Sequence, residues 1–226
     1  MRILRLDSIG GASGDMLLGA LIGLGADPDR LRDVLGSLEM EGFRLAVSSV
    51  TRTGQTGVQV EVAVTDTHHP HRGLKEIRAI IGAAELEDRT RELALATYER
   101  LAEAEAAVHG VAPEEVHFHE VGAMDAIVDI VGACVCLDML RIDAVQCSPL
   151  PVGTGSVEAA HGVLPLPVPA TALLLKDHPV VTTALPFELV TPTGAALIAT
   201  WLAGLPAAAG QVGIVQSCSM GFGRRD

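Results

Sequence analysis

Several stretches of this sequence bring together side chains that can hold a metal, move a proton or receive a phosphate. His68, His69 and His71 put three imidazoles side by side. Neutral imidazole suits nickel, zinc, copper and iron, and short His-rich tracts are a metal-binding composition. Arg72 follows at once, so the tract also reads as a phosphate-holding loop, or as a solvated polar turn. His117, His119 and Glu120 form a second group. In an extended chain residues two apart share a face, so both imidazoles can meet one ligand, with Glu120 pointing away unless the chain turns at Gly122. Asp125 and Asp129 come next, one helical turn apart in otherwise apolar sequence. Buried carboxylates need partners, which imidazoles or a cation supply. That favours a functional cluster over its alternative, a structural hydrogen-bond network beneath a helix start.

Glycine-rich segments offer a different chemistry. Gly10-Gly11-Ala12-Ser13-Gly14-Asp15 lies between a predicted strand and a predicted helix, where backbone N–H groups can cradle an anion. A tight turn with Ser13 or Asp15 as N-cap explains the same residues more simply. The segment has neither the Gly-x-Gly-x-x-Gly dinucleotide spacing nor the lysine of a P-loop. Gly153-Thr154-Gly155-Ser156 precedes His161-Gly162, a run that lets backbone approach a ligand with His161 as ligand or acid/base, or that serves as a rigid connector. Thr191-Pro192-Thr193-Gly194 reads as a capped helix start. Acyl-enzyme hydrolysis is disfavoured, since Gly-x-Ser-x-Gly, His-Glu-x-x-His and cysteine zinc signatures are all missing.

The elements that must position these groups are legible from periodicity. Residues 2–7 alternate as a strand, and helices are predicted over 17–24 and from Pro28 to 38. Residues 43–52 and 57–65 form a predicted antiparallel hairpin. Helices are predicted over 74–82 and 87–108, an extended piece over 116–119, and a long apolar helix after Gly122. A strand at 143–147 precedes a Pro/Gly-rich stretch, 149–171, that reads as a long ordered loop. Short helices at 170–176 and 192–203 and a strand at 210–218 complete the pattern. The fold class expected is α/β, a mixed sheet with flanking helices.

The chain has 226 residues, a formal net charge of −12, 49% hydrophobic and 3% aromatic residues, which is globular composition. An acidic chain this poor in aromatics offers neither the electrostatic footprint nor the stacking platforms of a nucleic-acid binder, and it is not suited to an anionic membrane surface. Mean hydropathy is +0.38, yet the most apolar stretch, 121–140, is broken by Asp125, Asp129 and Asp138. The N-terminus shows no long apolar secretory segment, so a cytoplasmic location is expected. Cys134, Cys136, Cys147 and Cys218 include no Cys-x-x-Cys pair and read as free thiols.

In this order the segments resemble the LarC family of nickel-insertion proteins of lactate racemase maturation. The resemblance is carried by Asp7-x-x-Gly10-Gly11-x-Ser13-Gly14-Asp15-Met16, the His68–Arg72 tract and Val116-His117-Phe118-His119-Glu120-Val121-Gly122-Ala123-x-Asp125. Gly153-x-Gly155 with His161-Gly162, and Leu189 to Ala196, extend it over nearly the whole chain. It implies a CTP-dependent cyclometallase, of the lyase class, that places Ni(II) into pyridinium-3,5-bisthiocarboxylic acid mononucleotide to give the nickel-pincer cofactor. It further implies that residues 1–226 are the N-terminal module of a two-domain protein, dividing if anywhere near 66–73. The CTP-binding half, with its divalent metal, lies outside them. Under this reading His68, His69, His71, His117 and His119 bind nickel. Gly10, Gly11, Ser13, Gly14, Asp15, Arg72, Gly153, Gly155 and His161 bind the precursor, and Glu120, Asp125 or Asp129 acts as base. The partners implied are the precursor, the CTP-binding half, other lactate racemase maturation proteins and a second copy of the chain. A nickel carrier without chemistry and a metal-independent nucleotide- or phosphate-binding module are the alternatives.

Overall fold

The computed structural model describes residues 1–40, 42–64, 72–118, 121–159, 162–208, 210 and 212–224. The chain enters through strand β1 (Ile3–Leu6), crosses the glycine turn into helix α1 (Gly14–Gly23) and continues into α2 (Pro28–Gly36). Asp27 caps α2, its carboxylate accepting the N–H groups of Asp29 and Arg30, and Pro28 follows in the first turn, where a missing N–H costs nothing. The hairpin β2 (Phe43–Arg52) and β3 (Gln55–Val64) is antiparallel, with Phe43 opposite Val64 and Arg52 opposite Gln55. Next come β4 (Arg72–Gly73), α3 (Leu74–Ala83), α4 (Asp88–His109), a 3-10 turn (Pro113–Glu115), β5 (His117–Phe118) and α5 (Met124–Met139). The second half contains β6 (Ala144–Cys147), β7 (Leu150–Val152), β8 (Ser156–Ala159), β9 (Gly162–Pro165), α6 (Pro169–Leu174), β10 (Val180–Thr182), α7 (Pro192–Gly204) and β11 (Gly221–Phe222).

The expected α/β content is present, with helices flanking strands that form five small sheets among the described residues. β1–β6 and β7–β10 are parallel pairs, β4–β5 and β8–β9 antiparallel pairs, and β11–β3–β2 is a mixed three-stranded sheet. The core is mainly helical. α5 is buried on nearly every face, which explains its continuous apolar run, and it packs through Gly132 against Leu18 of α1 and Leu31 of α2. Trp201 of α7 and Tyr98 of α4 are fully buried beside it in the same core. Cys134 and Cys136 are buried free thiols on α5, and burial pushes both up to about 12. At neutral pH they are inert protonated side chains.

Two expectations need correction. Residues 149–171 are not a loop: they contain β7, the β8–β9 hairpin and the start of α6. The prolines mislead because Pro151 and Pro165 sit in two-stranded sheets, where every strand is an edge and a missing N–H need not break a ladder. Residues 212–218 form no strand in the structure, and Val212, Ile214 and Val215 are 100%, 92% and 85% exposed. Their β-branched pattern has no neighbouring ladder to join, and propensity alone does not make a strand. The strand lies further on, at β11.

The glycine turn is fixed by backbone contact. Gly11 has φ +117, and a Cβ there would lie 1.9 Å from the carbonyl oxygen of Leu189. Ala12 donates its N–H to that carbonyl at 2.9 Å, Thr191 donates to the Ala12 carbonyl at 3.0 Å, and Ala12 bridges Val190 in parallel. Gly11→Ala is therefore expected to cost at least about 2 kcal/mol in chemical denaturation, combining positive-φ strain with a backbone overlap. Gly213→Ala, where a Cβ meets open space, should change stability by less than about 0.5 kcal/mol.

Candidate functional site

The glycine turn brings the first turn of α1 against two other helices. Gly194, in the first turn of α7, lies so near that a Cβ would stand 2.3 Å from the Ala12 carbonyl oxygen. Gly14 faces α5, where an added Cβ would be 2.8 Å from Cβ of Asp129 and 3.0 Å from its Oδ2. Ser13 occupies the N-cap of α1 in extended conformation, but its hydroxyl does not cap. It donates instead to Oδ1 of Asp15, which also accepts the Met16 N–H at 2.9 Å. On α7 the cap is conventional: Thr191 Oγ1 accepts the Gly194 N–H at 3.3 Å and shares a hydrogen bond with Thr193.

Asp15, Asp125 and Asp129 thereby become electrostatic neighbours. Asp125 Oδ1 accepts the Ala126 N–H at 2.9 Å in the first turn of α5. Asp129 keeps a little accessible surface overall, yet its Oδ1 is enclosed and has no hydrogen-bond partner among the described residues. Burial first, then the charges of Asp15 and Asp125, hold the Asp129 carboxyl well above the usual carboxylate range; Arg224 and the Asp15 N–H oppose this. A carboxyl so placed holds a proton more tightly than an ordinary aspartate, the direction in which a proton acceptor is strengthened.

Two residues shape the turn just before α5. Tyr98, fully buried on α4, donates its hydroxyl to the Val121 carbonyl at 3.1 Å and packs edge-on against Phe118 at 5.9 Å. Burial, followed by the charges of Asp129 and Asp125, raises its phenol well above the ordinary value. Arg72, half-buried on β4, donates from Nη1 to the Gly122 carbonyl at 2.9 Å. Gly122 is close to both strands of the β4–β5 pair, since a Cβ there would meet Phe118 Cβ at 2.7 Å and the Arg72 carbonyl at 3.3 Å.

The other sequence-predicted residues divide into two sets. His117 is exposed on β5 opposite Gly73, where its charge acts weakly on Glu76 at the start of α3. Glu76 itself lies below the usual range mainly because its carboxylate accepts backbone N–H groups, Gly73's at 2.9 Å among them. Gly153 is buried against the chain preceding α7, a Cβ there lying 1.9 Å from the Phe187 carbonyl oxygen, while Gly155 is exposed with φ +97 and open space beside it. The neighbours of both glycines belong to backbone packing and a turn. His68, His69, His71, His119, Glu120 and His161 lie outside the described residues. Among the described residues no three His, Cys, Asp or Glu side chains converge as a metal site.

Sequence reading missed Tyr98 and Arg224. Tyr98 left a faint signal, as the one tyrosine of the chain set on the apolar face of a predicted helix. Arg224 left none, because only the folded chain returns it to α1.

Residues 4–226 match the family described as "Nickel insertion protein". Three similar proteins carry the name "Putative nickel insertion protein". That of Thermomicrobium roseum is 51% identical over 88% of this chain and 49% of its own length. That of Synechococcus elongatus is 50% identical over 88% of this chain and 50% of its own. That of Pelobacter propionicus is 45% identical over 99% of this chain and 57% of its own. The chain thus spans about half the length of the curated relatives it matches. No solved structure matches it significantly. No helix among the described residues is long and apolar enough to cross a membrane.

The raised proton affinity of Asp129 has a thermodynamic consequence. The folded state holds this proton more tightly than the unfolded state, so stability falls as pH rises from the ordinary carboxylate range through the folded-state value. Asp129→Asn removes the ionisable group while keeping its shape. The variant is expected to be more stable than wild type at pH 7–8 in denaturant titrations, with the difference vanishing as pH falls below about 4, where the wild-type aspartate is neutral in both folded and unfolded states. A constant difference across that range would contradict the assignment.

Proposed function

The chain belongs to the nickel insertion protein family, and on that premise we propose that it takes part in inserting nickel into an organic precursor, with Asp129 as the base. The precursor in this reading is pyridinium-3,5-bisthiocarboxylic acid mononucleotide, and the product is the nickel-pincer cofactor of lactate racemase. CTP would be consumed by a further module that supplies its own divalent metal. Residues 1–226 would supply precursor and nickel binding, which accords with a chain half the length of its relatives.

The observation that carries this reading is the enclosed, unpartnered Oδ1 of Asp129 beside two further carboxylates. Forming a nickel–carbon bond breaks a ring C–H bond: the electron pair goes to the metal, and the proton must go to a base. Asp129 is held where it accepts a proton easily. Its acidic surroundings also complement two cations, Ni(II) and the pyridinium ring, which would meet Asp15, Asp125 and Asp129 with opposite charge.

The phosphate of the mononucleotide calls for different groups. The N–H groups around Gly10, Gly11, Ser13 and Gly14 and the guanidinium of Arg72 are the proposed contacts, with Gly153, Gly155 and His161 bordering the precursor. Several turn donors are already engaged, Ala12 with Leu189 and Met16 with Asp15, so Arg72 would bear much of the phosphate charge. Arg72 also positions, since it holds the Gly122 carbonyl at the entry to α5. Nickel, as substrate, would be received by the imidazoles His68, His69, His71, His117 and His119, with Glu120 and Asp125 orienting or sharing the base role.

The test separates binding from proton removal. The chain, supplied with the CTP-binding half, would be assayed for nickel uptake and for nickel-pincer formation. Asp129→Asn is expected to lower the rate of product formation by about 100-fold or more, the usual contribution of a general base, with nickel affinity unchanged. Replacing His68, His69 and His71 by Ala is expected to abolish stoichiometric nickel binding in a calorimetric titration. Product formation within twofold of wild type in Asp129→Asn would sink the base assignment. Nickel bound tightly by a chain that yields no product under any condition would make it a carrier.

A further inference from the structure

After its exposed stretch the chain returns to α1 as a short strap, residues 219–224, fastened at almost every position. Ser219 Oγ donates to the Ala20 carbonyl at 2.6 Å, and the Met220 carbonyl accepts the Val58 N–H at 2.8 Å. Gly221 and Phe222 pair with Val58 and Gln59 of β3. A Cβ on Gly221 would lie 1.9 Å from the Met16 carbonyl oxygen and 2.8 Å from the Ala20 nitrogen, and one on Gly19 would lie 2.7 Å from the Val58 carbonyl oxygen. Strap, helix and strand therefore meet backbone to backbone along a seam of glycines. Arg52 closes the far side: Nη1 donates to the Gly223 carbonyl at 2.8 Å, and the guanidinium lies 5.4 Å from the Phe222 ring centre.

The strap delivers Arg224 to the first turn of α1. Gly223 stands beside the Met16 side chain, with Oδ2 of Asp15 4.0 Å from its virtual Cβ. The ionisable groups that act on Asp129 are Asp15 from α1, Asp125 from its own helix and Arg224 from the strap; Asp129 in turn acts on the Tyr98 phenol of α4. Arg72 on β4 acts on that phenol, with its Nη1 committed to Gly122. Among the described residues Arg224 is thus the cation that opposes the carboxylate repulsion at Asp129.

We propose that Arg224 is a positioning residue of this site: the glycine-seamed strap, seated backbone to backbone on α1 with Gly223 beside Asp15, holds Arg224 at the helix start as counter-cation to the carboxylates gathered there, Asp15 and Asp129. The proposal rests on the reading of Asp129 as base. It also gives residues 219–223 a purpose, since a strap that lifts from α1 takes the cation with it.

The test is a titration, which needs no product formation. The Asp129 carboxyl signal would be followed by 13C NMR in the whole chain, assigned by its loss in Asp129→Asn. Arg224→Gln is expected to move the Asp129 midpoint upward and to leave the thermal midpoint within a few degrees of wild type, because Arg224 is exposed. Arg224→Lys should keep the midpoint near that of wild type. The upward shift should shrink in 1 M salt, where the Debye length is about 3 Å. Gly221→Ala, which cannot keep the strap seated, should reproduce the upward shift. A midpoint unmoved in Arg224→Gln at low salt overturns the proposal, and one moved there but unmoved in Gly221→Ala overturns the role of the strap. If Asp129→Asn still forms product while Arg224→Gln shifts the midpoint, the base reading fails and the electrostatic pairing stands.

Discussion

The first turn of α1 is pressed against three neighbours at distances only glycine permits, and the candidate site depends on that crowding. Gly14 lets Asp129 lie across the helix start, Gly194 lets α7 meet the Ala12 carbonyl, and Gly221 lets the strap touch the Met16 carbonyl. A methyl group at any of these positions would separate elements that now share one electrostatic environment. The same closeness encloses Oδ1 of Asp129 and leaves it without a partner among the described residues. Desolvation and charge clustering at this point therefore have one cause, backbone packing around a helix N-terminus.

That arrangement works against stability. A helix N-terminus favours nearby carboxylates, and Asp15 uses it through the Met16 N–H. Asp129 gains less from the dipole than it loses to burial and to its acidic neighbours, so its charged form is disfavoured. Nothing in the packing of α5 requires an aspartate there, for the helix around it is a continuous apolar element. A buried carboxyl only partly compensated, in such a helix, is the kind of local conflict that binding sites retain and cores do not.

Much of this was legible in the sequence, for identifiable reasons. Long periodic segments such as α4 and α5 declared themselves, as did the β2–β3 hairpin through its alternation about Thr53-Gly54. The acidic pair Asp125 and Asp129 stood out because charges are rare in an apolar run. The strands hidden in 149–171 did not, since proline reads as a breaker until the sheet is known to have only edges. The strand expected at 210–218 failed for the opposite reason: pattern was present and a partner ladder was not. The glycine turn offered two local readings, an anion cradle and, more simply, a tight turn with a capped helix. In the fold Gly11 answers to Leu189 and Gly14 to Asp129, contacts between positions far apart in sequence that no local pattern encodes.

Asp125 and Asp129 also show why spacing finds only half of a site. One helical turn places both on the same face of α5, but what they face comes from elsewhere: Asp15 through the glycine turn, Tyr98 through α4, Arg224 through the strap. Each arrives by a different long-range contact: Asp15 and Arg224 act on the Asp129 proton equilibrium, and Asp129 in turn acts on the Tyr98 phenol. Opposing signs meet there, with burial and two carboxylates on one side and a guanidinium and a backbone N–H on the other. A balance of that kind depends on where the strap holds its cation, and the strap is fastened to α1 and β3 by backbone contacts far from α5 in sequence.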